Sequence, residues 1–321
     1  MKRAFVTGGS GFVGQHLIRV LVEKGVEVRA LARSEQAAIA VRGVGAEPVR
    51  GDLDATPQMA EGMDGCDVVF HSAAKADEHG PLKAFMDANV GGTERTLAAA
   101  KKAQVGRFVH VSTEAVLADG NPLVRADETW PYPKKPMGPY AISKGAAERA
   151  VIAATNPAFD AVVIRPRFIW GQGDTSLLPK LAGAVRAGKF AWIDGGHYLT
   201  STCHVANCCE GALLAAEKGR GGEVYFLTDG EPVDFRDFLT AYLATQGVDA
   251  SKSRVAPRWL ARAVASATAW LPTPPVTKTA VALVSHEMTV VDTKARTELG
   301  YVGVMTKEAG LAEMKRVPGI T

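Results

Sequence analysis

The chain has 321 residues, of which 47% are hydrophobic and 22% are charged, with a net charge of +3. This is an ordinary globular composition with enough apolar material for a large core, and the absence of a concentrated basic cluster argues against nucleic acid as a partner. The N-terminal apolar run is far too short for a signal peptide and no apolar run reaches the length of a membrane span, so we expect a cytoplasmic protein without a transmembrane segment.

The four cysteines form no pattern that is typical of a metal site or a disulfide framework. They include no CxxC pair, and the adjacent side chains of Cys208 and Cys209 are poorly placed to act as two tetrahedral ligands. We therefore expect reduced thiols in the core and no bound metal.

Short apolar strands alternate with longer helical patterns through the first half of the chain. The predicted strands are Arg3–Thr7, Glu27–Leu31, Pro48–Gly51, Val68–His71, Phe108–Ser112 and Ala161–Arg165. The predicted helices between them are Phe12–Lys24, Pro57–Met63, Leu82–Ala103 and Ala141–Thr155. This alternation predicts an α/β fold with a doubly wound parallel sheet flanked by helices.

The pattern changes after Pro166. Trp170–Asp174 is a predicted loop, and the later strands Phe190–Ile193 and Glu223–Leu227 lack a regular strand and helix alternation. A helix at Val205–Lys218 is expected to return to the first sheet. We therefore predict two lobes that are discontinuous in sequence: residues 1–167 with about 196–227, and a smaller, mostly helical lobe of residues 168–195 and 228–321.

The first strand is followed by a glycine-rich turn that opens the first helix, TGGSGFVG at Thr7–Gly14. Gly8, Gly11 and Gly14 would allow the tight turn, the close approach of the backbone to a pyrophosphate, and the packing of helix against strand. Because the turn lies between a clear strand and a clear amphipathic helix, it predicts a dinucleotide site. The expected contacts here are Gly8, Ser10, Gly11, Phe12, Val13 and Gly14.

The residues after the second strand bear on the choice of cofactor. An NAD site would have a carboxylate there to bind the ribose 2′-hydroxyl, but this chain has Ala32, followed by Arg33 and Ser34. A guanidinium and a hydroxyl suit a 2′-phosphate, so we predict NADP(H) in preference to NAD(H). The alternative is that Arg33 is only a solvated charge and that Glu35 serves NAD.

Further cofactor contacts are expected where the third, fourth and sixth strands end. An Asp side chain with the next backbone amide could meet the adenine, and small residues after the fourth strand would let the backbone pass close to the cofactor. The predicted contacts are Asp52, Leu53, Ala73, Ala74, Lys75 and Pro166.

Of the six tyrosines only Tyr140 is followed by Lys at i+4, Lys144. That spacing places both side chains on one helix face. Because a free phenol ionises near pKa ~10, we expect the ammonium and a cationic nicotinamide to favour the phenolate, which makes the pair a proton donor and acceptor for a carbonyl and an alcohol. Both residues would also contact the cofactor.

Hydroxyl and amide side chains extend this candidate site. Ser112 and Thr113 end the fifth strand, and we expect one to face the site and stabilise developing alkoxide charge while the other faces the sheet. Asn89 is a polar residue among small apolar ones, and it would hold a water that links Lys144 to solvent. The alternative for Asn89 is a packing role inside its helix.

Together these segments resemble an extended short-chain dehydrogenase/reductase over nearly the whole chain. The motifs that carry the resemblance are TGGSGFVG at Thr7–Gly14, GDL at Gly51–Leu53, HSAA at His71–Ala74, NVGGT at Asn89–Thr93, HVST at His110–Thr113, YAISK at Tyr140–Lys144, IRPRFIWGQGD at Ile164–Asp174 and HVAN at His204–Asn207. With TKARTELGY at Thr293–Tyr301, the chain looks most similar to the 3β-hydroxysteroid and sterol dehydrogenase branch, with dihydroflavonol-reductase-like enzymes as cousins.

The resemblance implies a Rossmann fold and assigns the catalytic hydroxyl to Thr113, where many relatives have Ser. Two positions depart from the branch. Ala32 replaces the acidic residue of NAD-using members, which puts NAD in doubt, and Asn207 stands where many relatives have Asp.

The second lobe contains two apolar segments, Val255–Leu271 and Val276–Val284. They could line a hydrophobic pocket, form plain core, or touch a membrane surface as an amphipathic segment with Arg258 and Arg262. Few basic residues are grouped there to hold a sugar-nucleotide diphosphate, so we expect a lipophilic alcohol or ketone as substrate.

The sequence therefore predicts an NADP(H)-dependent oxidoreductase that interconverts a secondary alcohol and a ketone on a lipophilic substrate, of which a steroid-like molecule is one candidate. Two alternatives remain: a nucleotide-sugar epimerase or dehydratase with tightly bound NAD, and a non-catalytic NADP(H)-sensing protein. The intact Tyr140 and Lys144 pair argues against the sensor. A homodimer is compatible with all three.

Overall fold

The computed structural model describes residues 1–76, 80–268, 270–271 and 276–316. The strands in these ranges are β1 (Arg3–Thr7), β2 (Glu27–Ala32), β3 (Glu47–Arg50), β4 (Val68–His71), β5 (Arg107–Val111), β6 (Leu123–Ala126), β7 (Asp160–Pro166), β8 (Ile169–Trp170), β9 (Ala191–Ile193), β10 (Leu199–Thr200), β11 (Cys203–His204), β12 (Val224–Leu227), β13 (Val233–Asp234), β14 (Arg254–Ala256) and β15 (Met288–Val290). The α-helices are α1 (Phe12–Glu23), α2 (Glu35–Arg42), α3 (Thr56–Gly62), α4 (Leu82–Phe85), α5 (Gly92–Lys102), α6 (Gly138–Ala154), α7 (Leu178–Arg186), α8 (Val205–Lys218), α9 (Phe235–Ala244), α10 (Arg258–Ala267), α11 (Lys278–Leu283) and α12 (Lys307–Arg316).

The centre of the molecule is a seven-stranded sheet with the strand order β12-β7-β5-β4-β1-β2-β3. All of its neighbouring strands pair in parallel. The chain order reverses between β1 and β4, so the connections after these two strands leave on opposite faces and open a crevice at their carboxyl ends. The predicted doubly wound parallel sheet is confirmed.

Apolar side chains cover both faces of this sheet. On one face Leu17 and Ile18 of α1 share a buried cluster with Leu213 of α8. On the other face Met59 of α3 and Leu97 of α5 share a second cluster with sheet residues. Each fully buried aliphatic side chain of this kind contributes roughly 1.5–3 kcal/mol, so the sheet is a rigid support for the loops at its edge.

The four cysteines lie in this core as free thiols, and the absence of a bound metal at them stays a prediction. Burial raises the pKa of the Cys66 thiol to about 11, which keeps it protonated and unreactive at neutral pH.

The later part of the chain has its own apolar cluster. Trp170, Trp192, Phe238 and Tyr242 pack together there. A four-stranded sheet of order β13-β10-β15-β6 joins three strands of this later part to β6 from the first half of the chain. Helices α10 and α11 pack on each other through Ala265 and Val281.

The predicted single helix Leu82–Ala103 is interrupted in the structure. A π-helical turn at Met86–Gly91 separates α4 from α5. The Asn89 carbonyl lies inside this turn and accepts a hydrogen bond of 2.6 Å from the Thr93 hydroxyl. In a regular α-helix a backbone amide would bond to that carbonyl instead.

Helix α2 is not among the predicted helices, because its apolar pattern is short. Ser34 is its N-cap residue, and the Ser34 hydroxyl accepts a hydrogen bond of 3.1 Å from the Ala37 amide.

Within the described residues, no helix is both long and apolar enough to cross a bilayer.

Candidate active site

The glycine turn between β1 and α1 has no room for side chains at two positions. A Cβ at Gly14 would lie 2.2 Å from the Gly8 carbonyl oxygen, and a Cβ at Gly8 would lie 2.7 Å from the Ala73 amide nitrogen. Gly8 also has a φ of +71°, which side chains rarely adopt. These two glycines therefore hold the loops after β1 and β4 in direct contact.

Helix α1 begins at the floor of this turn without a capping side chain. Gly11 is its N-cap residue and no side chain accepts a hydrogen bond from the first-turn amides, which include those of Phe12 and Val13. Unsatisfied amides at a helix N-terminus attract anions. The turn opens into a cleft of about 1320 Å³ that is lined by Gly8, Ser10 and Gly11.

The cleft extends over the carboxyl ends of β2 and β3. Arg33 is exposed and lines it, and no salt bridge joins Arg33 to a residue that the structure describes. Glu35 points its carboxylate elsewhere, to Arg42 at 3.2 Å and to Arg50. Arg33 is therefore available to a ligand at the mouth of the cleft. The nearby carboxylate of Glu35 is already paired with two other arginines.

Asp52 and Leu53 line the same cleft after β3. The Asp52 carboxylate accepts a hydrogen bond of 2.7 Å from the Leu53 amide, and Arg95 of α5 donates to the Leu53 carbonyl at 2.9 Å. These bonds fix the loop. Ala73, Ala74 and Lys75 line the cleft from the loop after β4.

Asn89 has a different set of contacts from the one we expected. It is only 2% exposed, its Oδ1 accepts from the Lys75 amide at 2.7 Å, and its Nδ2 donates to the Lys75 carbonyl at 3.1 Å and to Ser143 Oγ at 2.9 Å. Both amide hydrogens are thus used by protein atoms. Asn89 ties the cleft loop at Lys75 to helix α6, at the residue directly before Lys144.

Tyr140 and Thr113 lie together where β5 and α6 meet. Tyr140 is half-buried, in the first turn of α6. Burial and the charge of Glu114 raise the pKa of the Tyr140 phenol above its ordinary value, and a hydrogen bond with the Thr113 side chain opposes that rise. Thr113 is the predicted hydroxyl that reaches the phenol.

Two charged residues that the sequence analysis did not single out hold Thr113. The Thr113 hydroxyl donates to Glu114 Oε2 at 2.9 Å, and Arg167 Nη1 lies 2.5 Å from Glu114 Oε1. Glu114 and Arg167 are both buried. The sequence does show a carboxylate, Glu114, directly after the Ser-Thr pair. Its partner Arg167 is more than fifty residues away in the chain, so the sequence alone does not indicate the ion pair.

Ser112 faces away from the site. Its hydroxyl donates to Glu148 Oε2 at 2.5 Å, and Glu148 pairs with Arg165 Nε at 3.1 Å inside the protein. Ser112 therefore belongs to a buried structural network, and the expected division of roles between Ser112 and Thr113 matches these contacts.

Lys144 is 2% exposed and bonds to β5, not to the phenol. Its Nζ donates to the Val111 carbonyl at 2.8 Å and lies 3.2 Å from His110 Nε2. Burial lowers the pKa of Lys144 to about 8. Burial and Glu114 raise the pKa of the Tyr140 phenol in this structure, and the lowering of that pKa by Lys144 together with a cationic nicotinamide stays a prediction.

Two buried histidines connect the strands beneath the site. His71 Nδ1 lies 2.7 Å from Thr7 Oγ1, and His71 Nε2 lies 3.0 Å from Thr93 Oγ1. Burial lowers the pKa of His71 to about 3 and that of His110 well below its ordinary range. A hydrogen-bonded chain thus runs from the glycine turn through His71 and Thr93 to the Asn89 carbonyl.

The remaining predicted contact, Pro166, ends β7 and is buried in register with Leu227 of β12. The carboxyl ends of the parallel strands therefore bring together the glycine turn, the loops after β2, β3 and β4, and Thr113. Asn89 connects this edge to α6, which carries Tyr140 and Lys144.

Helix α11 covers the start of α6. A Cβ at Gly138 would lie 2.1 Å from Thr279 Oγ1 of α11, two residues before Tyr140. Leu283 packs against the apolar cluster that includes Val116 and Leu117, and its carbonyl accepts from Arg167 at 3.3 Å. Helix α11 therefore bounds one side of the site.

This arrangement has counterparts among known proteins. Residues 5–258 match the model of the 3-beta hydroxysteroid dehydrogenase/isomerase family. A ketoreductase of Stigmatella aurantiaca, named for 4-hydroxy-2-methyl-3-oxo-4-farnesyl-3,4-dihydroquinoline-1-oxide, is 52% identical over 98% of this chain and 96% of its own. A 2-alkyl-3-oxoalkanoate reductase of Stenotrophomonas maltophilia is 37% identical over 76% of each chain.

A solved structure shows the same architecture. The dTDP-glucose 4,6-dehydratase of Streptomyces venezuelae, determined with NAD and TYD bound, aligns with a TM-score of 0.77 and 25% identity over 98% of this chain and 96% of its own. The family match covers both the glycine turn and the Tyr140 segment. This chain belongs to the 3-beta hydroxysteroid dehydrogenase/isomerase family and is an oxidoreductase of the extended short-chain dehydrogenase/reductase type, acting on CH–OH groups.

Proposed function

We propose that this chain uses NADP(H) to interconvert a lipophilic ketone and its secondary alcohol, with Tyr140 as the proton donor and acceptor. The observation that carries the proposal is the pairing of Tyr140 with Thr113 at the edge of the sheet that also carries the glycine turn. A phenol and a hydroxyl next to a dinucleotide cleft suit the reduction of a carbonyl.

The cleft fits a dinucleotide. The uncapped amides of α1, which follow the glycine turn, suit a pyrophosphate, and Arg33 suits a 2′-phosphate. A bound nicotinamide cofactor supplies the hydride for the carbonyl carbon. We assign cofactor binding to residues 1–167 with about 196–227, and substrate binding to residues 168–195 and 228–321.

Side chains of this chain would donate the proton that the carbonyl oxygen receives. Because its pKa is raised, Tyr140 carries its proton throughout the neutral range and can donate it to a carbonyl oxygen. Thr113 donates its single hydroxyl proton to Glu114 in this structure, and it would turn that proton toward the same oxygen to stabilise it. Lys144 places a positive charge beside β5, and Asn89 holds the loop and helix that flank it.

A lipophilic substrate is supported by the apolar character of α11, which bounds the site, and by the farnesylated and alkylated ketones in the names of two relatives. A steroid-like ketone would fit the same chemistry. The dehydratase with which this chain shares its fold acts on a sugar nucleotide, so sugar nucleotides belong in any substrate test.

The reaction is tested with a panel of ketones, alcohols and sugar nucleotides, followed by the absorbance of the reduced nicotinamide. We expect turnover with lipophilic ketones and a loss of about 10²- to 10⁴-fold for Tyr140→Phe, with cofactor affinity retained. Tyr225→Phe, which removes a phenol on β12 outside the site, is the matched control. Full activity of Tyr140→Phe, or turnover of a sugar nucleotide without net cofactor change, contradicts the proposal.

The cofactor preference is tested separately. We expect a higher kcat/KM with NADPH than with NADH, and a loss of about 10- to 100-fold with NADPH alone in Arg33→Gln, as for the removal of a charge-assisted hydrogen bond. Arg42→Gln, which changes an exposed arginine at the end of α2 that is paired with Glu35, should keep the preference. Equal or better use of NADH by the unaltered protein refutes this step.

A further inference from the structure

Helix α10 presents an apolar stripe to solvent. Trp259, Ala263 and Ala267 recur at helical spacing, and Trp270 follows less than one turn later. Trp259 is 70% exposed and Trp270 is 80% exposed. Contiguous exposed apolar surface of this kind marks an interaction site more often than a solvated face.

The opposite side of α10 packs against apolar residues of the protein. Ala265 is buried with Ile193 and Val281, and Ala261 packs against the same group. Val255 and Leu260, which are 58% and 41% exposed, extend the outer stripe. We call the exposed set Val255, Trp259, Leu260, Ala263, Ala267 and Trp270 the α10 face.

The charged residues of the chain segment that carries the α10 face all have the same sign. Every charged residue between Asp249 and Glu287 is basic: Lys252, Arg254, Arg258, Arg262 and Lys278. Arg258 is paired with Asp194 at 3.1 Å, whereas Arg254 and Arg262 are exposed and form no salt bridge with a residue that the structure describes. An exposed apolar stripe flanked by two unpaired arginines is complementary to an anionic apolar surface.

The α10 face lies next to the proposed substrate side of the active site. Helix α10 packs on α11, and Thr279 of α11 contacts Gly138 at the start of the helix that carries Tyr140. A lipophilic molecule that leaves a bilayer at α10 would meet α11 and then the site.

We propose that the α10 face docks on the surface of an anionic phospholipid bilayer. The tryptophans would lie at the level of the headgroups and the apolar stripe just below them, with Arg254 and Arg262 facing lipid phosphates. A second copy of this chain suits the face less well, because a two-fold contact would bring the same basic residues of both copies together.

The test measures binding to vesicles, so it is independent of turnover and of the proposed reaction. The full chain is sedimented with vesicles of phosphatidylglycerol and phosphatidylcholine, and with phosphatidylcholine alone. We expect strong binding to the anionic vesicles that weakens with added salt. Binding should fall by at least about ten-fold in Trp259→Ala/Trp270→Ala and in Arg254→Gln/Arg262→Gln.

Matched controls change exposed residues elsewhere. Trp130→Ala and the pair Lys24→Gln/Lys102→Gln should leave vesicle binding unchanged. Tryptophan fluorescence of the unaltered protein gives a second measurement: brominated acyl chains should quench it, and quenching should fall in Trp259→Phe/Trp270→Phe, which keeps apolar rings on the face.

The proposal is overturned by equal binding to neutral and anionic vesicles, by no vesicle binding, or by binding that both double variants retain. It is also overturned if the unaltered protein is a dimer that Trp259→Ala/Trp270→Ala dissociates while vesicle binding is absent, because the face then belongs to self-association.

Discussion

Asn207 is a buried side chain with both ends of its amide in use. Its Nδ2 donates to Asp229 Oδ1 at 2.7 Å and to the Met305 carbonyl at 2.8 Å, and its Oδ1 accepts from the Met305 amide at 2.8 Å. Only an amide provides both functions here. The sequence alone offers no reason for Asn at a position where many relatives have Asp. The structure gives one, because the amide both donates and accepts hydrogen bonds here.

We expect Asn207→Asp to destabilise the protein by about 3 kcal/mol, because it places a carboxylate against the Asp229 carboxylate and leaves the Met305 carbonyl without its donor. Chemical denaturation measures the change. Asn156→Asp is the control, since Asn156 is exposed, its Oδ1 accepts from the Ala158 amide as a carboxylate also would, and its Nδ2 makes only a long bond of 3.4 Å to the Ala154 carbonyl. A similar stability for both variants would contradict the buried network.

Lys144 gives a prediction for the pH dependence of activity. Its pKa is lowered to about 8 by burial, so the ammonium is present below that pH and is lost above it. We expect kcat/KM for ketone reduction to fall as the pH rises through about 8, because this ratio reports the ionisation of the free enzyme. A profile that stays flat to pH ~10 would assign Lys144 no role as a cation, and Lys102→Gln should leave the profile unchanged.

At the scale of elements, the β1 to α1 turn depends on a glycine inside a helix. A Cβ at Gly14 meets the Gly8 carbonyl at 2.2 Å, and the obstruction is backbone, which cannot rotate away. The first turn of α1 would have to move off β1, and the amides that face the cleft would move with it.

We expect Gly14→Ala to lower cofactor affinity by at least about ten-fold and to destabilise the chain by about 1–3 kcal/mol, as for an overpacked site. Gly183→Ala is the matched control. Gly183 also lies inside a helix, α7, but an added Cβ there meets nothing within 4 Å, so it should stabilise by up to ~1 kcal/mol. Cofactor titration and thermal unfolding of both variants check this, and equal effects would refute it.

At the scale of the whole molecule, the sheet buries two neutral histidines side by side. His71 and His110 pair in register on β4 and β5, and their rings stack at 5.3 Å. Their folded pKa values lie below the ordinary value, so the unfolded chain binds more protons in the acid range. The stability from these groups is complete above about pH 6.5 and is lost as the pH falls toward 3.

Acid titration of stability follows from this pair. We expect the free energy of unfolding to fall by up to about 1.4 kcal/mol per pH unit for each histidine below pH ~6. His71→Gln should flatten the slope, whatever it does to stability at neutral pH. His197→Gln, which changes an exposed histidine, should keep the slope; an unaltered slope in His71→Gln would show that the acid loss has another source.

The sheet and the glycine turn could be predicted because their signals are local: strands, helices and turn residues follow one another in the sequence. The roles of Glu114 and His110 could not, because each depends on a partner brought by another element, Arg167 and Lys144. Asn89 illustrates the intermediate case. Asn89 could be selected as a candidate because it is polar among small apolar residues. Its bonds to Lys75 and Ser143 could not be predicted, because the π-helical turn that orients its amide has no simple sequence signature.

The contact between Gly138 and Thr279 sets a limit on how this enzyme can diversify. Position 138 combines a φ of +81° with a neighbour 2.1 Å from where a Cβ would stand, so hydrogen is the largest substituent that it accepts while α11 keeps its place. Any side chain at position 138 therefore requires a smaller residue at 279 or a shift of α11 as a unit, so substitutions at these two positions are coupled.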